Sequence, residues 1–147
     1  MDKTKTLETV DKYWEPWYVT GICDFIKIPN LTPMCDPNYT TNGLFEQAIE
    51  LVDSYIQKLE IVGIERKIFR PEGMLPLIVY VVKPSEEQTR NIMMYGHIDK
   101  QPYEEPWEEG LGPTTPVVKD GKLYGRGGAD DGYAAFSAML AVKTAQL

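Results

Sequence analysis

His97 is the only histidine in the chain; glycine precedes it, and Asp99 stands two positions after it. A neutral imidazole binds zinc through one ring nitrogen. A carboxylate that accepts the N–H of the other nitrogen fixes the tautomer and raises ligand basicity, so a His-x-Asp pair can supply a ligand and its orienting group together. Taken alone, such a pair more often has a structural role. Further along, Asp130 and Asp131 end the run Gly125-Arg126-Gly127-Gly128-Ala129. One aspartate there has an ordinary role as a helix cap at the positive end of the dipole. Two adjacent carboxylates repel each other unless a cation or several donors neutralise them, which favours a metal; Arg126 is the alternative neutraliser. The glycines do not make a phosphate loop, because no P-loop lysine follows and neither nucleotide-binding spacing is present.

These residues need elements to hold them. Leu7 to Ile28 reads as one or two helices, with Pro16 opening the second or kinking a single one, and Ile28-Pro29-Asn30-Leu31-Thr32-Pro33 ends them. From Gly43, the apolar positions Leu44, Ala48, Leu51, Val52, Tyr55, Ile56 and Leu59 form one stripe of an amphipathic helix. Ile64–Phe69 and Leu77–Val82 read as strands, the second without polar alternation and so expected to be covered on both faces. A third short strand is predicted over Asn91–Tyr95, delivering His97 at its C-terminal end. Lys100 to Pro116, rich in proline and glutamate, reads as an ordered surface loop anchored by Trp107. Asp120-Gly121 between two short apolar runs predicts a hairpin with a type I′ turn. Tyr133 to Leu147 reads as an apolar helix that continues to the last residue. The fold class is therefore α/β, an incomplete mixed sheet flanked by helices.

With 147 residues, 43% hydrophobic and 25% charged, the chain has enough apolar material for one globular domain at most. A net charge of −7 disfavours nucleic acid and anionic membrane surfaces as partners. The N-terminus has no apolar signal segment and no run is long enough to cross a bilayer, so a cytoplasmic location is expected. Cys23 and Cys35 form no metal or disulfide pattern and are expected as reduced thiols.

Gly96-His97-Ile98-Asp99-Lys100-Gln101-Pro102, followed by Gly121-Lys122-Leu123-Tyr124-Gly125-Arg126-Gly127-Gly128-Ala129-Asp130-Asp131-Gly132, resembles the paired signatures of M20 zinc metallopeptidases, the group of carboxypeptidases, carnosinase-like dipeptidases and related amidohydrolases. The likeness extends from about Trp14 to Leu147. It implies that His97 and Asp130 are zinc ligands, Asp130 bridging two zincs, and that Asp99 is the catalytic-site carboxylate orienting His97. It also implies an unusual backbone at Asp130-Asp131, a cis peptide. Gly132 departs from the lysine frequent at that position in the family, which leaves the subgroup and substrate open. The family's glutamate pair, its other acidic ligand and its late histidine match nothing here. Glu104-Glu105 and Glu108-Glu109 precede the bridging aspartate in a proline-rich loop and read as solvated charge.

The resemblance implies hydrolysis of peptide or related amide bonds by a dizinc exopeptidase or dipeptidase, in which two metals activate water and a glutamate shuttles the proton. Residues 1–147 are then expected to be a partial catalytic domain, lacking the C-terminal part of that domain and the family's dimerisation domain. Such a chain is expected to be inactive alone. A complete enzyme would take a peptide or dipeptide substrate and form a homodimer. The competing expectation is a catalytically dead relative serving as an interaction or structural module, its open sheet covered by a partner chain.

Overall fold

A computed structural model of the chain describes residues 2–147 except 85, 88, 89, 104 and 105. Helix α1, Lys3–Tyr13, starts at Asp2, whose carboxylate accepts the backbone N–H groups of Thr4 and Lys5 at 2.9 and 3.3 Å. It passes through a π-helical turn, Trp14–Val19, into α2, Thr20–Ile26. Pro16 lies inside that turn, so the proline neither starts a helix nor breaks one: the widened turn absorbs the missing N–H. Helix α3, Leu44–Gln57, follows the predicted stripe, with Ala48, Val52, Tyr55 and Ile56 buried. Strands β1, Ile64–Phe69, and β2, Leu77–Val82, pair antiparallel, with Ile64 opposite Val82 and Phe69 opposite Leu77. Strands β3, Val117–Lys119, and β4, Lys122–Tyr124, form the expected hairpin, its Asp120 and Gly121 both at positive φ as a type I′ turn requires. Helix α4 spans Tyr133–Ala145 and ends before Leu147, whereas the sequence predicts a helix running to the last residue.

The α/β class holds, in the form of two small antiparallel sheets flanked by helices. Two strand expectations need correction. Asn91–Tyr95 belongs to no strand; its backbone finds no ladder among the described residues, and Ile92 and Met93 are 88% and 92% exposed. Strand β2 is not covered on both faces. Tyr80 and Val82 pack on the core while Leu77 and Val81 are exposed, because among the described residues β1 is its only strand neighbour and the helices reach one face.

The core lies among the helices. Trp17, Tyr55 and Phe136 meet edge to face, with ring centroids 5.6 to 6.4 Å apart, around fully buried Phe25, Ile26, Ala48 and Leu59. Helix α4 buries Phe136, Leu140 and Thr144 and packs Ala135, Met139 and Val142 against the core as half-buried residues. The β1–β2 hairpin is fastened to α3 through buried Asp53, which accepts from Tyr80 Oη at 2.7 Å, from Gln57 Nε2 at 2.6 Å and from Arg66. Among the described residues no helix is long and apolar enough to cross a membrane, and Cys23 and Cys35 are free thiols.

Candidate metal centre

Two chain segments build the centre. The first runs alongside the loop after α2 as a short parallel bridge between Leu31 and Lys100. Lys100 N donates to Asn30 O at 3.1 Å, Thr32 N donates to Lys100 O at 2.8 Å, and the Asn30 side-chain amide donates to Ile98 O at 2.6 Å. This pairing does for His97 what a strand ladder was expected to do. The second segment is the glycine-rich turn after β4. Gly127, at φ +84°, accepts Gly132 N at 2.9 Å, and Arg126 N donates to Pro113 O at 2.8 Å. Gly132 has no room for a side chain: a Cβ there would lie 2.3 Å from the Phe25 ring. The turn therefore rests directly on α2. The Asp130–Asp131 peptide bond is cis, the isomer that the resemblance implies.

The segments meet at Gly96, where a Cβ would lie 2.8 Å from Ala134 Cβ, and at Asp131, whose Oδ2 accepts His97 N at 3.4 Å. Asp131 is thereby occupied with backbone, and Asp130 is left to face the ring. Nδ1 of His97 lies 3.1 Å from Asp99 Oδ1 and 3.2 Å from the Asp99 carbonyl oxygen, while Nε2 lies 3.2 Å from Asp130 Oδ1. Two acceptors beside Nδ1 favour the tautomer with its proton there. Nε2 then presents a lone pair to a carboxylate, an arrangement that a cation between them would stabilise. The 3.2 Å separation suits two ligands each about 2.0–2.2 Å from one zinc at a near-tetrahedral angle, and imidazole with carboxylate is a donor set zinc accepts. The ring is one-third exposed and Asp130 61% exposed, so an ion has access.

The structure thus brings His97, Asp99 and Asp130 together. Arg126, the alternative neutraliser, makes no ion pair with either aspartate among the described residues. No group of three or more ligating side chains converges to hold an ion among the described residues. Glu108 and Glu109 are exposed, as expected; Glu104 and Glu105 lie outside the described residues. Sequence reasoning missed two residues that hold the centre, Asn30 and Lys100. Lys100 is 1% exposed, and burial draws its ammonium down to about 7. The signal for it was its place directly after Asp99.

Residues 93–146 match the sequence model of Peptidase family M20/M25/M40. That stretch contains both segments of the centre. Over 127 residues, 82% of this chain and 30% of the other protein, the chain is 27% identical to an uncharacterized metallohydrolase of Methanocaldococcus jannaschii. Over 52 residues, 34% of this chain and 13% of the other protein, it is 44% identical to the succinyl-diaminopimelate desuccinylase of Wolbachia pipientis wMel. The chain spans less than a third of the length of these relatives. Together the matches show a likeness to the M20 family that is concentrated in the stretch carrying both segments of the centre.

Proposed function

We propose that this chain carries the His97–Asp99 and Asp130 part of a dizinc centre that hydrolyses peptide or related amide bonds, in the manner of an exopeptidase or dipeptidase. The observation that carries the reading is the His97 ring held between two carboxylates, Nδ1 against Asp99 and Nε2 against Asp130. Support also comes from the family match and from the relatives' names, one a metallohydrolase and one a desuccinylase. His97 and Asp130 would hold zinc, and Asp99 would keep the ring in the ligating tautomer. Bound zinc supplies Lewis-acid polarisation of the scissile carbonyl. Two protein ligands fall short of the usual three, so the chain alone is inactive on this reading, and the remaining ligands and the proton-transferring glutamate come from outside it.

We further propose a peptide or dipeptide substrate, a homodimeric complete enzyme and a cytoplasmic location. The exposed run Ile92, Met93, Met94 and Tyr95 favours a second reading, an inactive module whose open face a partner chain covers. Calorimetric titration with zinc separates the two. Under the enzyme reading the chain binds zinc, and His97→Ala and Asp130→Ala each abolish the heat. A chain that binds no zinc, or binds it equally well in both variants, would leave the module.

A further inference from the structure

The two segments of the metal centre share a support. The side chain of Lys100 is buried in the protein, where its ammonium donates to Phe25 O at 2.6 Å and to Ile28 O, and lies 4.0 Å from the centroid of the Phe25 ring. Phe25 belongs to the last turn of α2, and Ile28 lies two positions beyond the helix, a place where the dipole favours a cation. On its other side the stem carries the turn that bears Asp130. A Cβ on Gly127 would lie 2.7 Å from both Cγ and Cε of Lys100. The stem is thus sandwiched between α2 and the glycine-rich turn, three residues from His97.

Lysine is among the residues least often fully buried, since its charge must leave water. An apolar side chain of similar length would fill the same space without that cost. It would not grip two carbonyls, and the carbonyls are what define where residue 100 sits along α2.

We propose that Lys100 is a positioning residue of the metal centre: by fixing the His97–Asp99 segment to the end of α2 and carrying Gly127 on its stem, it sets the separation of His97 Nε2 from Asp130. The inference rests on reading His97 and Asp130 as ligands. It assigns to a residue outside the ligand set a direct effect on metal affinity and on the environment of the imidazole.

The test uses the 147-residue chain, zinc chloride as the only added ligand, and the imidazole ¹⁵N resonances of its single histidine. Lys100→Met keeps the stem and removes the donors. It should lower zinc affinity by roughly 10–100-fold, the range typical of residues that support ligands. It should also shift the His97 ring resonances before any metal is added, with the helical circular dichroism retained. Lys100→Gln, a shorter stem with a donor, should recover part of both effects, and it carries the comparison if the methionine variant does not fold. Tyr80→Phe is the control: it removes the hydroxyl that bonds Asp53 and should lower stability while leaving zinc affinity and the ring resonances unchanged. A folded Lys100→Met with unaltered affinity and ring resonances overturns the inference. So does a Tyr80→Phe variant that weakens zinc as much at equal loss of stability, because Lys100 would then be structural only. If instead His97→Ala leaves zinc binding intact, the ligand reading has failed, and the metal-free ring resonances of Lys100→Met still decide whether Lys100 positions His97.

Discussion

A histidine ligates well only when one tautomer is enforced, and here the enforcing group is chiefly the Asp99 carboxylate, 3.1 Å from Nδ1. The Asp99 carbonyl oxygen at 3.2 Å is a second acceptor that survives any change of side chain. Asp99→Asn replaces an acceptor by an amide that can turn its N–H₂ toward Nδ1 and so stabilise the wrong tautomer. The expected outcome is a shift of the His97 ¹⁵N resonances toward the Nε2–H form and a fall in zinc affinity of about 10–100-fold by calorimetry. An unchanged tautomer would assign the whole effect to the backbone carbonyl. That His97, Asp99 and Asp130 belong together was legible through the likeness of two motifs to the M20 signatures, since type and spacing alone left a structural role open. Lys100 and Asn30 were not, because their roles are made by backbone carbonyls brought close by the fold: Ile98 O for Asn30, and Phe25 O and Ile28 O for Lys100. Nothing in a residue's type announces such a contact.

Helices α2 and α3 are clasped by one hydrogen bond at the edge of the core, Tyr55 Oη donating to Asp24 Oδ2 at 2.6 Å. Burial, and then the negative Asp24 that accepts this bond, push the Tyr55 phenol up to about 12. In the unfolded chain the phenol titrates near 10. The folded state therefore keeps a proton that the unfolded state has begun to lose, and stability falls with pH wherever the unfolded state binds fewer protons. The contribution of Tyr55 is fully present below about pH 10 and is lost as pH rises through about 12. Urea unfolding between pH 9 and about 12 should show a steeper decline in the natural chain than in Tyr55→Phe. Superimposable profiles would show that the clasp contributes nothing through its proton. At this scale the sequence was a good guide where an element carries its own signal. The Asp-Gly turn between β3 and β4 read correctly, and so did most of the α3 stripe, although buried Phe45 and Ile49 were left out of it and Leu44 and Leu51 are only half-buried. It failed where an element depends on a neighbour: the apolar pattern of Asn91–Tyr95 says strand, but a strand needs a ladder, and Leu77–Val82 has helices on one face only.

Across the whole molecule the helices share one core, while the two hairpins and the run from Ile92 to Tyr95 leave apolar surface in water. The candidate metal centre sits on the same side of the balance. It is well supported from beneath by α2, Phe25 and Lys100, yet it offers an incoming ion only His97 and Asp130, with no group of three or more ligating side chains among the described residues. Complete structural zinc sites bind with apparent free energies of about 10–16 kcal/mol. Two ligands, one of them 61% exposed, should do much less, and we expect an apparent Kd weaker than about 1 μM, equivalent to about 8 kcal/mol. Hydrolysis requires in addition a positioned base, worth roughly 10²–10⁴ in rate. The carboxylates at the centre already have roles, Asp99 beside Nδ1, Asp131 with the His97 backbone and Asp130 as the proposed zinc ligand facing Nε2. The purified 147-residue chain should therefore show weak zinc binding and no dipeptide turnover above background, measured by calorimetry and by release of free amino acid. Zinc-dependent turnover that disappears in both His97→Ala and Asp130→Ala would mean that these two segments assemble a complete catalytic centre, with a base drawn from a carboxylate assigned here to positioning.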